Sequence, residues 1–193
     1  MSKTFSPLEA ITNDLKQRPQ WLNRDRSAEK PKRPRWNGTP VSYTNPNVWH
    51  TFEEARDAAE SRESADVGYV FAEENDDYEA GEYACIDIDG GVREDETLKD
   101  WVPDLSPFEE TYIEYSTSGT GLHILIEGSK LPDWWSDCQI REHEGVDVLA
   151  NSFCVFTGKK HELSGDSIKP IDPAPWLLKA YKNIRGTLPH TDG

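Results

Sequence analysis

The chain has 193 residues, enough to bury a core without disulfides, and its 36 acidic and 21 basic residues give a net charge of −15. Such a charge argues against nucleic acid as a partner, unless the basic groups gather in one place. Because no run approaches the ~20 apolar residues of a membrane span and no signal-peptide core opens the chain, we expect a cytoplasmic protein without membrane contact.

The first third of the chain predicts two helices separated by an irregular, basic stretch. Residues 5–17 predict a short helix entered at Pro7. Residues 18–48, rich in Pro, Asn, Trp and basic groups, are expected to hold short strands at most. Residues 51–63 predict a helix opened by a capping box, with Phe and Ala recurring on one face.

The rest of the chain is dominated by strands. Apolar runs predict strands near 67–72, 83–89, 111–117, 121–128, 145–150 and 152–158. Residues 92–102 are compatible with a short helix, and residues 173–186 predict a last helix that begins at Pro and ends at Gly. This order predicts an α+β or mixed α/β domain with a largely antiparallel sheet.

The cysteines and two of the histidines predict no chemistry of their own. Cys85, Cys138 and Cys154 are odd in number and lack the CxxC spacing, so we interpret them as reduced, buried, small hydrophobic residues. His143 and His161 are expected in solvated loops.

The segment YACIDIDGG, residues 83–91, carries the first candidate site. In a strand, Asp87 and Asp89 project from one face while Ile86 and Ile88 enter the other. Burying a carboxylate is costly unless a partner compensates its charge. Hard oxygen ligands at this spacing select Mg²⁺ or Mn²⁺, so the segment predicts a divalent metal site.

Two later segments add groups suited to phosphate and metal. The loop of Ser116, Ser118, Gly119, Thr120 and Gly121 is rich in hydroxyls and glycine, and it leads into a strand that carries His123. We expect its amides and hydroxyls to form an anion-binding nest. Asp147 interrupts an apolar strand in the same way as Asp87. Three acids with such a loop indicate two-metal phosphoryl transfer.

The order of these segments, hhhDhD, then a Ser/Gly loop with a strand His, then a strand acid before a strand ending in Thr-Gly, resembles the primase-polymerases of the archaeo-eukaryotic primase superfamily. The resemblance extends upstream through KPKRPRW and covers roughly residues 18–160. It implies a catalytic core in which an α/β unit packs on an RRM-like sheet. Residues 1–17 would then be a lead-in, and 161–193 a helix and tail linking to a helicase module.

The resemblance also implies roles for particular residues. Asp87, Asp89 and Asp147 would bind catalytic Mg²⁺ or Mn²⁺, and the nucleoside triphosphate would be held by Ser116, Ser118, Gly119, Gly121 and His123. The family's Ser-x-His is Gly121-Leu122-His123 here, so the hydroxyl is expected from Ser118. Many relatives have an Arg after the third acid, which this chain lacks, and Lys159 or Lys160 is the expected substitute.

The partners implied are dNTPs or NTPs and a single-stranded DNA template. Template contacts are expected from the basic segment, with Trp36 or Trp49 as stacking platforms, although Trp49 is favoured for packing. The basic segment comprises Lys30, Lys32, Arg33 and Arg35. The acid-rich, Lys-poor composition resembles proteins of salt-loving cells. Because salt weakens phosphate contacts, we expect a helicase or DNA-binding module as a tether.

Two other functions fit part of the pattern. CIDIDGGV resembles the opening motif of haloacid-dehalogenase-like phosphatases, in which the first Asp is the nucleophile, but Gly91 departs from that motif. The other alternative is a replication module that binds nucleotide or single-stranded DNA without turnover. The favoured interpretation is a template-dependent DNA primase and polymerase of a plasmid or virus.

Overall fold

The computed structural model describes residues 6–72, 82–138, 140 and 144–189. Within them the chain forms two antiparallel sheets and three α-helices. The strands are β1 (Trp21–Asp25), β2 (Arg35–Trp36), β3 (Thr39–Pro40), β4 (Ala65–Phe71), β5 (Tyr83–Asp89), β6 (Ile113–Tyr115), β7 (Leu122–Glu127), β8 (Gly145–Leu149) and β9 (Ser152–Phe156). The helices are α1 (Asn13–Lys16), α2 (Phe52–Glu60) and α3 (Ala174–Arg185), with short 3-10 turns between elements.

The strands divide between two sheets. The first sheet has the order β3-β2-β1-β4-β9 and the second has the order β6-β7-β5-β8. Every strand pair is antiparallel. The predicted mixed α/β fold with antiparallel sheets is therefore confirmed.

An aromatic core joins the two sheets. Trp21 is fully buried and meets Phe52 of α2, Tyr69 of β4 and Phe156 of β9 edge to face, at centroid distances of 5.0, 5.2 and 6.1 Å. Cys85, Tyr112 and Leu125 close this cluster from the second sheet. Helix α2 and the second sheet therefore cover the same face of the first sheet.

The second sheet has a second core on its outer face. Ile86 and Ile88 of β5 lie there at 0% exposure, among side chains that include Trp176 and Leu177 of α3. The predicted alternation along β5 is confirmed, because the isoleucines enter this outer core while Cys85 lies in the core between the sheets. The next inward position along the strand is Asp87.

Four local predictions have clear outcomes. The helix of residues 51–63 is confirmed as α2, capping box included, and the last helix is α3, closed by Gly186 at φ +75°. The N-terminal helix is wrong as one unit: it breaks at Ile11 and Thr12, both extended, so that Thr12 caps α1. The helix at 92–102 is also wrong, because Val92 pairs with Leu98 across a turn.

The stretch predicted to be mostly irregular contains β1, an interior strand of the first sheet. The sequence of β1 does not alternate between apolar and polar residues, because the polar residue Asn23 occupies a buried position. The side-chain amide of Asn23 donates to the carbonyl of Ala55 at 2.8 Å.

Contacts also run across the predicted boundary positions: the amide of Ile168 donates to Asp14 at 2.6 Å. The division at residues 17/18 and 160/161 stays a prediction. No helix in the described part of the chain has both the length and the apolar character needed to cross a membrane.

Candidate active site

A row of polar side chains crosses the inner face of the second sheet. In the strand register, Asp87 of β5 lies opposite His123 of β7 on one side and Asp147 of β8 on the other. Glu114 of β6 lies opposite His123. We call Glu114, His123, Asp87 and Asp147 the polar row. Three of its members come from the separate sequence segments singled out above, and strand pairing brings them together.

An apolar row lies directly beside the polar row. Cys85 is paired with Leu125 and Leu149, and Tyr112 hydrogen-bonds through its carbonyl to the amide of Leu125 at 3.0 Å. These residues pack against the first sheet. The polar row therefore sits where the core between the sheets ends.

Asp87 is the most perturbed acid of the row. Its side chain is 21% exposed. Burial is the main reason why the pKa of Asp87 is raised to about 6; His123 and Lys32 lower that pKa, whereas the negative charges of Asp89 and Asp147 raise it. A cation bound among these acids would remove the repulsion that the ionised carboxylate experiences.

His123 lies between two carboxylates. Its Nδ1 is 3.0 Å from Oε1 of Glu114, and its Nε2 is 3.7 Å from Oδ1 of Asp87 and 3.8 Å from Sγ of Cys154. Burial alone would lower the pKa of His123, but its contacts with Cys154, Glu114 and Asp87 outweigh burial and raise that pKa well above its ordinary range. The protonated ring suits an anionic ligand.

Glu114 was not among the predicted site residues. It is 0% exposed. The signal that reveals Asp147, an acid on the inward face of an apolar strand, is also present in TYIEYST, where Glu114 shares a face with Tyr112. No second acid stands beside Glu114 in TYIEYST, so that signal is easily missed.

The other two predicted metal-binding acids, Asp89 and Asp147, are neighbours of Asp87 in the second sheet. Asp89 lies at the exposed end of β5, opposite Gly145. Asp147 is half-buried, and its Oδ1 accepts a hydrogen bond from the amide of Val148 at 2.9 Å. Among the described residues, no three or more His, Cys, Asp or Glu side chains converge as a complete metal centre. The acids offer instead a partial set of hard oxygen ligands.

The hydroxyl groups of the Ser/Gly loop, residues 116–121, hydrogen-bond to one another. The Oγ atoms of Ser116 and Ser118 are 3.1 Å apart, and Ser118 is 2.9 Å from the Thr120 hydroxyl. The amides of Gly119, Thr120 and Gly121 all donate within the loop. The predicted nest is therefore wrong for these three amides, and the exposed hydroxyls are the loop's clearest polar groups.

The structure explains why both positions 119 and 121 of the loop are glycines. Gly119 adopts φ +75°, the left-handed region that favours glycine. A Cβ on Gly121 would lie 2.5 Å from the carbonyl oxygen of Ile88. Gly121 thus lets the loop rest against the end of β5, next to the predicted metal-binding acids.

Arg24 of β1 is a second residue that the sequence interpretation missed. Its Nε donates to Asp66 at 2.8 Å and its Nη2 to the hydroxyl of Thr117 at 3.1 Å. Arg26 also pairs with Asp66 but has a more exposed side chain.

The predicted DNA-binding residues lie in different environments, and their role stays a prediction. Lys32 is exposed, yet its charge acts on Asp87, so the loop after β1 approaches the polar row. Arg35 instead donates to the carbonyl of Gly38 at 2.7 Å, and its Nε is buried without a partner. Trp36 stacks on His50 at 3.3 Å, which covers one face of its ring. Lys30 and Arg33 are exposed.

Several minor predictions can also be placed. Trp49 packs on the first sheet and donates to the Tyr43 carbonyl at 2.8 Å, which confirms packing. Lys159 is exposed, whereas Lys160 pairs with Asp166 at 2.5 Å. The prediction for His161 is wrong: it is only 8% exposed, and its Nδ1 accepts a hydrogen bond from the amide of Leu163.

Cys85 and Cys154 are buried and free, as predicted. The side chain of Cys138 and the whole of His143 lie outside the described residues.

Sequence comparison supports the resemblance to primase-polymerases. No protein-family model matches the chain. The chain is similar to the DNA primase-polymerase of Nitratiruptor phage NrS-1, with 29% identity over 158 residues. The match covers 79% of this chain and 21% of the phage protein, so this chain spans about a fifth of that relative's length. The resemblance that the motifs predicted is confirmed at this level of similarity, and a salt-loving source stays a prediction.

Proposed function

We propose that this chain is the catalytic domain of a replication primase-polymerase, a template-dependent nucleotidyltransferase. The observation that carries the proposal is the register that places Asp87 between His123 and Asp147. In the proposed reaction the 3′ oxygen of the growing strand bonds to the α-phosphorus of the incoming nucleotide. The bond from that phosphorus to the pyrophosphate oxygen breaks, pyrophosphate leaves, and the 3′ proton passes to solvent.

The acids fit a divalent metal that needs only part of its shell from protein. Asp87 and Asp147 face each other across paired strands, and Asp89 follows two residues after Asp87. Mg²⁺ usually keeps several waters and takes substrate phosphate oxygens as further ligands, so a partial set of carboxylates is what it requires. Mg²⁺ or Mn²⁺, when bound, would neutralise charge on the triphosphate and leaving group. The raised pKa of Asp87 favours this role, because burial first, and then the charges of Asp89 and Asp147, make its ionised carboxylate unfavourable without a cation.

The triphosphate would lie between the polar row and the Ser/Gly loop. His123 supplies a positively charged ring, and Ser116 and Ser118 supply hydroxyls. Arg24 holds Thr117 of that loop at 3.1 Å, which places a guanidinium where a phosphate would approach. Lys32 acts on Asp87 from the loop after β1. We assign Arg24 and Lys32 to the nucleotide in preference to Lys159 and Lys160, because Arg24 contacts the Ser/Gly loop and the charge of Lys32 acts on Asp87.

Single-stranded DNA would follow the remaining exposed basic groups, Lys30 and Arg33. These are few, and the chain carries a net charge of −15, so the isolated domain should bind template weakly and lose it as salt rises. A helicase or DNA-binding module, in the same polypeptide or in a partner, would then keep the template in place.

The test is an incorporation assay on the purified chain. The chain is incubated with a single-stranded template, labelled dNTPs or NTPs and Mg²⁺ or Mn²⁺, with and without a primer, over a range of KCl concentrations. Products that require the template support the proposal, and products without a primer establish priming. Nucleotide binding without any product would instead favour the non-catalytic binding module, and phosphate release from a small ester would favour the phosphatase.

Metal binding is expected to stabilise the fold through the acids of the polar row. At ten times its dissociation constant, Mn²⁺ should raise the melting temperature by roughly 3–5 °C, the value for a ligand that binds only the folded state of a chain this long. The double variant Asp87→Asn/Asp147→Asn should lose this rise. Differential scanning fluorimetry with and without Mn²⁺ measures it. An equal rise in the double variant would locate the metal elsewhere.

The variant Arg24→Lys is expected to raise KM for the nucleotide about tenfold, with a smaller change in kcat. Lysine keeps the charge but cannot bridge Asp66 and Thr117 with a planar fork. Arg26→Lys is the matched control, since Arg26 shares Asp66 and its other hydrogen bond runs to the carbonyl of Glu63, away from the loop. Steady-state incorporation kinetics provide the measurement. Equal effects of the two substitutions would mean that only the pairing with Asp66 matters.

A further inference from the structure

The strongest unexplained feature of the site is a buried carboxylate whose hydrogen bonds are all accounted for. Oε1 of Glu114 lies 3.0 Å from Nδ1 of His123 and accepts from the amide of Thr157 at 2.9 Å. Oε2 accepts from the Tyr112 hydroxyl at 2.8 Å and from the amide of Gly158 at 2.9 Å. Four polar groups therefore surround a side chain at 0% exposure, and the two oxygens of its carboxylate serve as their hydrogen-bond acceptors.

The backbone donors hold this carboxylate rigidly. Thr157 and Gly158 follow β9 of the first sheet, whereas Glu114 and His123 belong to the second sheet. Gly158 adopts φ +71°, and a Cβ there would collide with the carbonyl of Pro7. The turn is therefore fixed from its other side as well. Because Glu114 is anchored to both sheets, its contact with His123 has a defined direction.

The consequence for His123 is a fixed ring. The carboxylate can only accept, so Nδ1 must carry a hydrogen, and the opposite nitrogen, Nε2, is then directed at Asp87, 3.7 Å away. The side chain of His123 is 7% exposed, so it has little freedom to choose another partner. Carboxylates that orient a functional histidine in this way commonly affect activity without touching the substrate.

We infer that Glu114 is a positioning residue, which accepts the Nδ1 hydrogen of His123 and fixes the orientation of the ring so that Nε2 faces the site between Asp87 and the nucleotide. The activity part of this inference rests on the proposed function. The ring state of His123 does not, because it is a property of the protein without nucleotide.

The first measurement is the ¹⁵N imidazole spectrum of the whole chain without metal or nucleotide. The His123 signals are assigned by their loss in His123→Ala. We expect Nδ1 of His123 to be protonated in the wild type and in Tyr112→Phe, which removes a different donor from the same carboxylate. In Glu114→Met, which keeps the side-chain length and removes both acceptor oxygens, we expect Nδ1 to lose its hydrogen largely, while the hydrogen on Nε2 remains. An unprotonated Nδ1 in the wild type overturns the inference even if Glu114→Met does not fold.

The second measurement is a double-mutant cycle on nucleotide incorporation. Glu114→Met should lower kcat by about 10- to 100-fold, the usual cost of removing such a second partner. In a His123→Ala background it should cost no more than about twofold, because its effect passes through His123. Tyr112→Phe should stay within about threefold of wild type. Losses that multiply in the double variant would overturn the inference, as would unchanged His123 signals in a folded Glu114→Met. If the wild type makes no product, the proposed function fails and the spectrum alone decides this inference.

Discussion

Replacing Asp87 with asparagine is expected to reduce template-dependent incorporation by at least about a thousandfold. The substitution would leave only a neutral amide oxygen in the centre of the polar row, between His123 and Asp147. The charge stabilisation that a metal gives to a phosphoryl transition state amounts to several kcal/mol, and each 1.36 kcal/mol is a factor of ten in rate. Primer extension under single-turnover conditions measures the loss directly.

The same substitution should leave the fold intact, which separates a lost function from a lost structure. The raised pKa of Asp87 shows that its ionised carboxylate is unfavourable in the folded protein. In metal-free buffer at pH 7, Asp87→Asn should therefore melt no lower than the wild type. Asp100→Asn is the control, because Asp100 is not part of the polar row and its side chain is fully exposed. If Asp87→Asn retains more than a tenth of the activity, the polar row is not the catalytic centre.

The individual strands of the site could be predicted because their signals are local. An acid that breaks an apolar alternation is visible in five or six residues, and this sufficed for Asp87 and Asp147. The order β6-β7-β5-β8 could not be predicted in the same way, since it depends on which strands pair over long separations. That pairing is what converts three separate signals into one row.

The residues that were missed are those whose roles depend on tertiary contacts. Arg24 and Thr117 are 93 positions apart in the chain, and nothing in the segment WLNRD distinguishes Arg24 from its basic neighbours. His161 was misjudged for a related reason: its loop runs along the edge of the second sheet, where its amide donates to Ile113 at 2.9 Å. Charged and polar residues in loops look solvated until the fold covers them.

Trp21→Ala is expected to lower the free energy of unfolding by about 3–5 kcal/mol, a large part of the stability of a domain this size. Trp21 is fully buried, touches Phe52, Tyr69 and Phe156 with its ring, and donates from Nε1 to the carbonyl of Leu15 at 3.2 Å. Alanine would leave a cavity among these rings and an acceptor without its donor. Urea unfolding followed by circular dichroism measures the change.

Trp21→Ala should also affect the candidate active site, because the ring of Phe156 lies between Trp21 and His123. Phe156 contacts Trp21 on one side and lies 5.7 Å from the ring of His123 on the other. Where Trp21→Ala is still folded, we therefore expect weaker incorporation as well as lower stability. Trp36→Ala is the matched control. Trp36 lies in β2, next to the edge strand β3, and among aromatic neighbours in the described residues it stacks only on His50, so its loss should cost about 1 kcal/mol. Equal losses from the two substitutions would mean that the packing between the sheets does not hold the polar row in place.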